Sequence, residues 1–133
     1  MLLADTEVLF ALAPRDSHHP QALAILETRS DIVVPDVSIL EFSLVLKATG
    51  VVVPDVRTAI LAVRKILRQY GVQERNTIGT EMLALSASIE ERYHLSYFDS
   101  LVAGAAVCLK ADVLSDDQAF DGVPKIKRVP LSG

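Results

Sequence analysis

The chain lacks the cysteines that would build a disulfide framework. Cys108 is its only cysteine, so no intrachain disulfide can form. This residue lies in the apolar segment LVAGAAVCL, which predicts a small side chain in the core of a protein from a reducing compartment. We therefore expect a cytoplasmic protein.

Long apolar runs are also missing. The longest, around residues 101–109, is about half of the ~20 residues that a helix needs to cross a bilayer. The sequence begins MLLADTE, without a basic leader and a long apolar segment, so a signal peptide is not expected. These two absences predict a protein that does not associate with a membrane.

An excess of positive charge is the third absence. Thirteen Lys and Arg residues stand against seventeen Asp and Glu residues, for a net charge of -4, which disfavours nucleic-acid binding through a broad basic surface. Basic residues on one predicted helix could contact RNA or an acidic partner, although a solvated helix face is the commoner arrangement. These residues are Arg57, Arg64, Lys65 and Arg68.

Strand-like and helix-like segments alternate along the chain, and no repeat, linker or low-complexity tract divides it. The pattern predicts strands at 2–5, 31–35, 72–77, 111–115 and 125–131. It predicts helices at 6–13, from Pro20, at 37–50, 54–70 and 80–93, and from Asp99 onward. We therefore expect a single α/β domain, with a central parallel sheet flanked by helices and ligands at the carboxyl ends of its strands.

Four acidic residues lie where apolar segments end or are interrupted. They are Asp5 in LLADTEVL, Glu41 in VSILEFSL, Asp99 in YFDSLVAG and Asp117 in VLSDDQAF. Their places at strand ends and helix starts would bring them to one edge of the sheet, where they would repel one another unless a cation neutralised them. Oxygen ligands without neighbouring histidine or cysteine favour Mg²⁺ or Mn²⁺ over Zn²⁺.

Each of these carboxylates also has a purely structural interpretation. Asp5 and Asp99 could cap the helices that follow them. Glu41 could form a capping box with Ser38. Asp117 could be an ordinary turn residue.

Two other groups of residues have weaker functional interpretations. His18 and His19 could be metal ligands or a catalytic base, but two adjacent histidines before Pro20 are more often exposed residues at a helix start. Asp116 is a weaker candidate than Asp117 for a site carboxylate.

In order and spacing, the four acidic motifs resemble those of PIN-domain ribonucleases, especially the VapC-type toxins of prokaryotic toxin–antitoxin pairs. The resemblance covers almost the whole chain and implies one PIN-like domain at 1–133. It places metal-binding and catalytic carboxylates at Asp5, Glu41, Asp99 and Asp117, with supporting hydroxyl groups at Thr6 and Ser115. Glu7 is a departure, because many relatives have asparagine at this position.

The resemblance implies a Mg²⁺- or Mn²⁺-dependent endoribonuclease that hydrolyses RNA phosphodiester bonds by water attack. It further implies a homodimer that is inhibited by a small antitoxin protein. A solitary PIN nuclease in RNA processing is one alternative. The other is a catalytically silent PIN-like binding module, in which the carboxylates only cap helices.

Overall fold

Five short parallel strands form the central sheet of the computed structural model, which describes residues 1–133. The strands are β1 (Leu2–Ala4), β2 (Ile32–Pro35), β3 (Gln73–Arg75), β4 (Asp112–Leu114) and β5 (Arg128–Val129), in the order β3-β2-β1-β4-β5. The helices are α1 (Thr6–Phe10), α2 (His19–Thr28), α3 (Asp36–Ala48), α4 (Val53–Gln69), α5 (Thr80–Tyr93) and α6 (Tyr97–Leu109), with a 3₁₀ helix at Gln118–Gly122. The predicted α/β class with a central parallel sheet is confirmed.

Apolar side chains cover both faces of the sheet, as expected for parallel strands that run between helices. Leu3 pairs in register with Val33 and Val113, and these three side chains pack in the core that includes α5 and α6. Leu2 and Ala4 point to the opposite core, which includes α1, α2 and parts of α3 and α4. The strand β1 is therefore central and fully buried, and its carboxyl end is fixed relative to both of its neighbours.

Some predicted elements differ from the structure in their bounds or their burial. The helix α1 ends at Phe10 instead of residue 13, because the chain turns ahead of Pro14. The predicted edge strand at 125–131 is reduced to two residues in β5. Cys108 was predicted to be a core residue, but it is exposed, because it lies on the outer side of α6 while Ala105 and Ala106 face the core.

No helix of the chain combines the length and apolar character that a membrane span requires.

The helices α5 and α6 pack closely because Gly104 has no side chain. A Cβ atom built on Gly104 would lie 2.1 Å from Ser86 Oγ and 3.2 Å from Ser86 Cβ. Both residues are buried between the two helices, so an added methyl group has no space there.

Gly104→Ala should therefore lower the free energy of unfolding by about 1–3 kcal/mol, as expected for overpacking of a filled core. Urea denaturation would measure the change. Gly122→Ala is a suitable control, because no atom lies within 4 Å of a Cβ atom at Gly122. Combining Gly104→Ala with Ser86→Gly should recover part of the loss. Equal stability of the Gly104→Ala protein and the parent would show that the two helices separate easily.

Candidate functional site

The first and fourth acidic motifs meet because β1 and β4 are adjacent parallel strands that end together, with Ala4 paired to Leu114. Asp5 and Ser115 are the next residues on each strand. Ser115 Oγ donates a hydrogen bond to Asp5 Oδ2 at 2.8 Å and accepts one from the backbone N–H of Asp117 at 3.0 Å. The predicted supporting hydroxyl of Ser115 thus joins two of the predicted site carboxylates.

Asp5 is both a helix cap and a buried acid. Its Oδ1 accepts a hydrogen bond from the backbone N–H of Thr6 at 2.8 Å, which confirms the capping interpretation for that oxygen. The side chain is only 7% exposed. Burial, with a smaller contribution from the charges of Asp99 and Glu7, raises the pKa of Asp5 to about 7 against the lowering effect of its hydrogen bonds from Ser115 and Thr6. Capping therefore does not explain why the chain buries this acid beside other acids.

Glu41 reaches the same region from α3. The predicted capping box is wrong: α3 begins after Pro35, and Ser38 lies within the helix, where its Oγ donates to the backbone carbonyl of Ala4 at 2.8 Å. Glu41 instead accepts a hydrogen bond from the hydroxyl of Thr6, the residue next to Asp5. The other predicted supporting hydroxyl, Thr6, thus links Glu41 to the end of β1.

Asp99 lies in the first turn of α6 but does not cap it. Ser96 is the N-cap, and its Oγ accepts a hydrogen bond from the backbone N–H of Asp99 at 3.2 Å. Partial burial, together with the nearby negative charges of Asp117 and Glu41, raises the pKa of Asp99 to about 6. With the cap provided by Ser96, the Asp99 side chain is left to face the other acids.

No salt bridge neutralises the carboxylates of this group. Every ion pair in the chain involves other acidic residues, namely Asp16, Asp31, Asp116 and Asp121. Four carboxylates without a basic partner are chemically suited to a hard divalent cation such as Mg²⁺ or Mn²⁺. The side chains do not form a closed metal centre, since no group of three or more His, Cys, Asp or Glu residues is arranged to hold an ion.

Two further acidic residues, Glu7 and Asp116, support the loop of the fourth motif. The carboxylate of Glu7 accepts a hydrogen bond from the backbone N–H of Asp116. Asp116 in turn accepts hydrogen bonds from Leu131 and Ser132. Glu7 departs from the asparagine of many relatives, and its contact with Asp116 cannot be predicted from the sequence because the two residues lie far apart in the chain.

The remaining candidates lie outside the group of four carboxylates. His18 has a side chain that is 45% exposed, and its Nε2 is 3.9 Å from Asp116 Oδ2. The basic residues of α4 are all exposed, consistent with a solvated face. These are Arg57, Arg64, Lys65 and Arg68.

Glu41→Gln separates a role at the site from a structural one. Glutamine can still accept the hydrogen bond from Thr6 but is a poorer metal ligand. The resemblance to PIN-domain ribonucleases implies metal-dependent RNA cleavage, and we expect more than about a tenfold loss of that activity with little change in melting temperature. A cleavage assay and thermal denaturation would measure the two effects, and full activity would leave a site of three carboxylates.

Comparison with known proteins gives a family model and a set of similar folds. The model of the PIN domain matches residues 2–126. A comparison with curated proteins gives no match.

Several solved structures share the fold. The chain is similar to VapC20 of Mycobacterium tuberculosis, described as a sarcin-ricin loop cleaving toxin, with 13% identity over 93% of this chain and 95% of that chain and a TM-score of 0.73. It is similar to VapBC2 from Rickettsia felis, solved with a DNA fragment from its promoter, with 10% identity over 97% of each chain and a TM-score of 0.71. It is also similar to FitAcB from Neisseria gonorrhoeae, with 17% identity over 99% of each chain and a TM-score of 0.69.

These identities are low, so the structural likeness concerns the fold. The match to the family model is of another kind, because it extends over nearly the whole chain and includes all four acidic motifs. On this basis the protein belongs to the PIN domain family.

Proposed function

We propose that this protein is a Mg²⁺- or Mn²⁺-dependent endoribonuclease that hydrolyses RNA phosphodiester bonds. The observation that carries the proposal is the grouping of Asp5, Glu41, Asp99 and Asp117 from four separate segments, without a basic partner for any of them. Membership of the PIN domain family supports the same conclusion. A silent binding module is a weaker explanation, since only Asp5 and Asp117 cap helices, whereas Asp99 and Glu41 do not.

The four carboxylates have two kinds of task in this proposal. Asp5, Asp99 and Asp117 would hold the cation directly or through water, and Glu41 would complete the site or orient the attacking water. Thr6 holds Glu41 and Ser115 holds Asp5 through the hydrogen bonds described above. The chemistry supplied by a divalent cation at such a site is activation of water and stabilisation of negative charge on the phosphate and the leaving oxygen.

We further propose that the protein is a cytoplasmic toxin of a VapBC-type pair, bound by a small antitoxin protein and present as a homodimer. The support is the likeness of the fold to VapC20, which is described as a toxin, and to a chain of the VapBC2 structure. Exposed apolar side chains on α3 and α4 are available for protein contacts. They include Leu40, Leu44 and Leu61. A solitary RNA-processing nuclease would share the chemistry but would have no antitoxin.

The nuclease proposal is tested by incubating the purified protein with total RNA in Mn²⁺, in Mg²⁺ and in EDTA. We expect discrete cleavage products with either metal and none in EDTA. Asp121→Asn is the control variant, because Asp121 pairs with Arg128 outside the four carboxylates. Intact RNA under all conditions, from a folded protein, would contradict the proposal.

The toxin proposal has a separate test. Induced expression should arrest growth of a bacterial host, and co-expression of a short protein encoded just upstream should relieve the arrest. Cleavage in vitro without growth arrest would favour the solitary nuclease.

A further inference from the structure

The loop that carries Asp117 is held by hydrogen bonds on two sides. On the inner side, Ser115 Oγ accepts the hydrogen bond from Asp117 N and donates to Asp5. On the other side, the carboxylate of Glu7 accepts a hydrogen bond from the backbone N–H of Asp116. Asp117 itself is exposed, so few packing contacts fix its position. The hydrogen bonds of its neighbours therefore hold it in place.

The side chain of Asp116 fastens this loop to the C-terminal segment. Its Oδ1 accepts three hydrogen bonds, from Leu131 N at 2.8 Å, Ser132 N at 3.0 Å and Ser132 Oγ at 3.1 Å. The segment is anchored in turn, because Leu131 is only 5% exposed and packs in the core that contains Leu114. Asp116, the residue directly before Asp117, thus ties the loop to a fixed part of the protein.

We propose that Asp116 is a positioning residue: by holding the loop at 115–117 against the C-terminal segment, it directs the carboxylate of Asp117 toward the site. The inference rests on the proposed nuclease function. What this role requires is an oxygen acceptor at Oδ1, because all three donors are neutral N–H or O–H groups that bind this one atom. The negative charge of Asp116 is not required, which distinguishes it from a metal ligand.

Two substitutions separate these roles, since Asp116→Ala removes the acceptor and Asp116→Asn keeps it. For Asp116→Ala we expect about tenfold weaker binding of Mn²⁺ by calorimetric titration and about a tenfold lower kcat for RNA cleavage, with KM nearly unchanged. We also expect faster hydrogen exchange at the backbone amides of Asp117 and Ala119 in the metal-free protein. Asp116→Asn should restore all of these values to nearly those of the parent.

Controls keep the test decisive. Asp112→Ala removes an aspartate that accepts a hydrogen bond from Lys127 N at 3.2 Å at the opposite end of β4, and it should leave Mn²⁺ binding unchanged. Ser132→Ala removes only one of the three donors to Asp116 and should give a smaller loss in the same direction. If Asp116→Ala fails to fold, the smaller loss of Mn²⁺ binding in Ser132→Ala tests the positioning role in its place.

Three results would overturn the positioning role. Equal impairment of Asp116→Asn and Asp116→Ala would show that the charge is needed. Parent-like Mn²⁺ binding by Asp116→Ala, with faster exchange at its loop amides, would reduce Asp116 to an anchor of the C-terminal segment. Unchanged exchange would show that the loop is held without Asp116. A parent protein that neither binds Mn²⁺ nor cleaves RNA would instead refute the proposed function. The hydrogen-exchange measurement needs neither metal nor RNA, so it tests the hold of Asp116 on the loop independently.

Discussion

Asp99→Asn should abolish Mn²⁺-dependent RNA cleavage while leaving the fold intact. The substitution preserves the shape of the side chain and removes only its charge, which a hard cation requires. The cap of α6 is unaffected, because Ser96 provides it. Cleavage rates measured with a defined RNA, together with a circular dichroism spectrum, would test both parts of this prediction.

The metal-free Asp99→Asn protein should also be at least as stable as the parent. Burial and the charges of Asp117 and Glu41 already raise the pKa of Asp99, so the ionised form is unfavourable in the folded chain. Asp121→Asn is the matched control, since it removes an aspartate charge outside the site and should retain cleavage. Full activity of a folded Asp99→Asn protein would remove Asp99 from the mechanism.

The second large effect concerns stability, pH and metal together. The ordinary pKa of Asp5 is 3.8, and burial raises it to about 7 in the folded chain. Between these values the folded chain holds a proton that the unfolded chain releases, so stability falls as pH rises. For metal-free protein we expect Asp5 alone to contribute a loss of about 2–4 kcal/mol between pH 4 and pH 7.5.

Asp5→Asn should flatten this dependence, because the amide stays neutral at every pH. The variant and the parent should have similar stability near pH 4, and the variant should be the more stable of the two at pH 7.5. Urea denaturation in EDTA at several pH values would measure both curves. Parallel curves would show that Asp5 ionises freely in the folded protein.

Adding Mn²⁺ should reverse the loss at neutral pH, since the ion binds the carboxylates of the folded chain and not their scattered positions in the unfolded chain. At a hundredfold excess over Kd the gain is about 2.7 kcal/mol. It should fade toward low pH, where protons compete for the ligands. Asp5→Asn and Asp117→Asn should each reduce the gain, whereas Asp121→Asn should not. An unchanged response in the first two variants would place the ion elsewhere.

Local sequence patterns were enough to predict the fold class and the strand ends that carry Asp5 and Asp117. Apolar strands that alternate with helices form few folds other than a parallel sheet covered by helices. In a parallel sheet the carboxyl ends of neighbouring strands lie side by side. The pattern could not show that Ser96 caps α6 or that Ser38 bonds to β1, because each polar residue had more than one possible partner. The exposure of Cys108 was missed since an apolar segment does not reveal which of its residues face outward.

The contacts around the fourth motif were beyond prediction for a different reason. Glu7 and Asp116 are separated by 109 positions, and their hydrogen bond depends on how β1 and β4 align. Neither residue has a local motif that identifies its partner. The acidic motifs therefore predict four candidate carboxylates, but they do not predict the residues that hold the loop around Asp117.

The central place of β1 has a consequence for the synthesis of this protein. Residues 2–4 are translated long before one of their two neighbouring strands, β4, which begins at residue 112. Asp5 meets Ser115 across 110 positions of sequence, and such distant pairings form late in folding. A nascent chain on the ribosome therefore cannot assemble all four carboxylates until residue 117 has emerged. The proposed nuclease site is therefore incomplete while most of the chain is being synthesised, so the proposed activity would begin only near the end of translation.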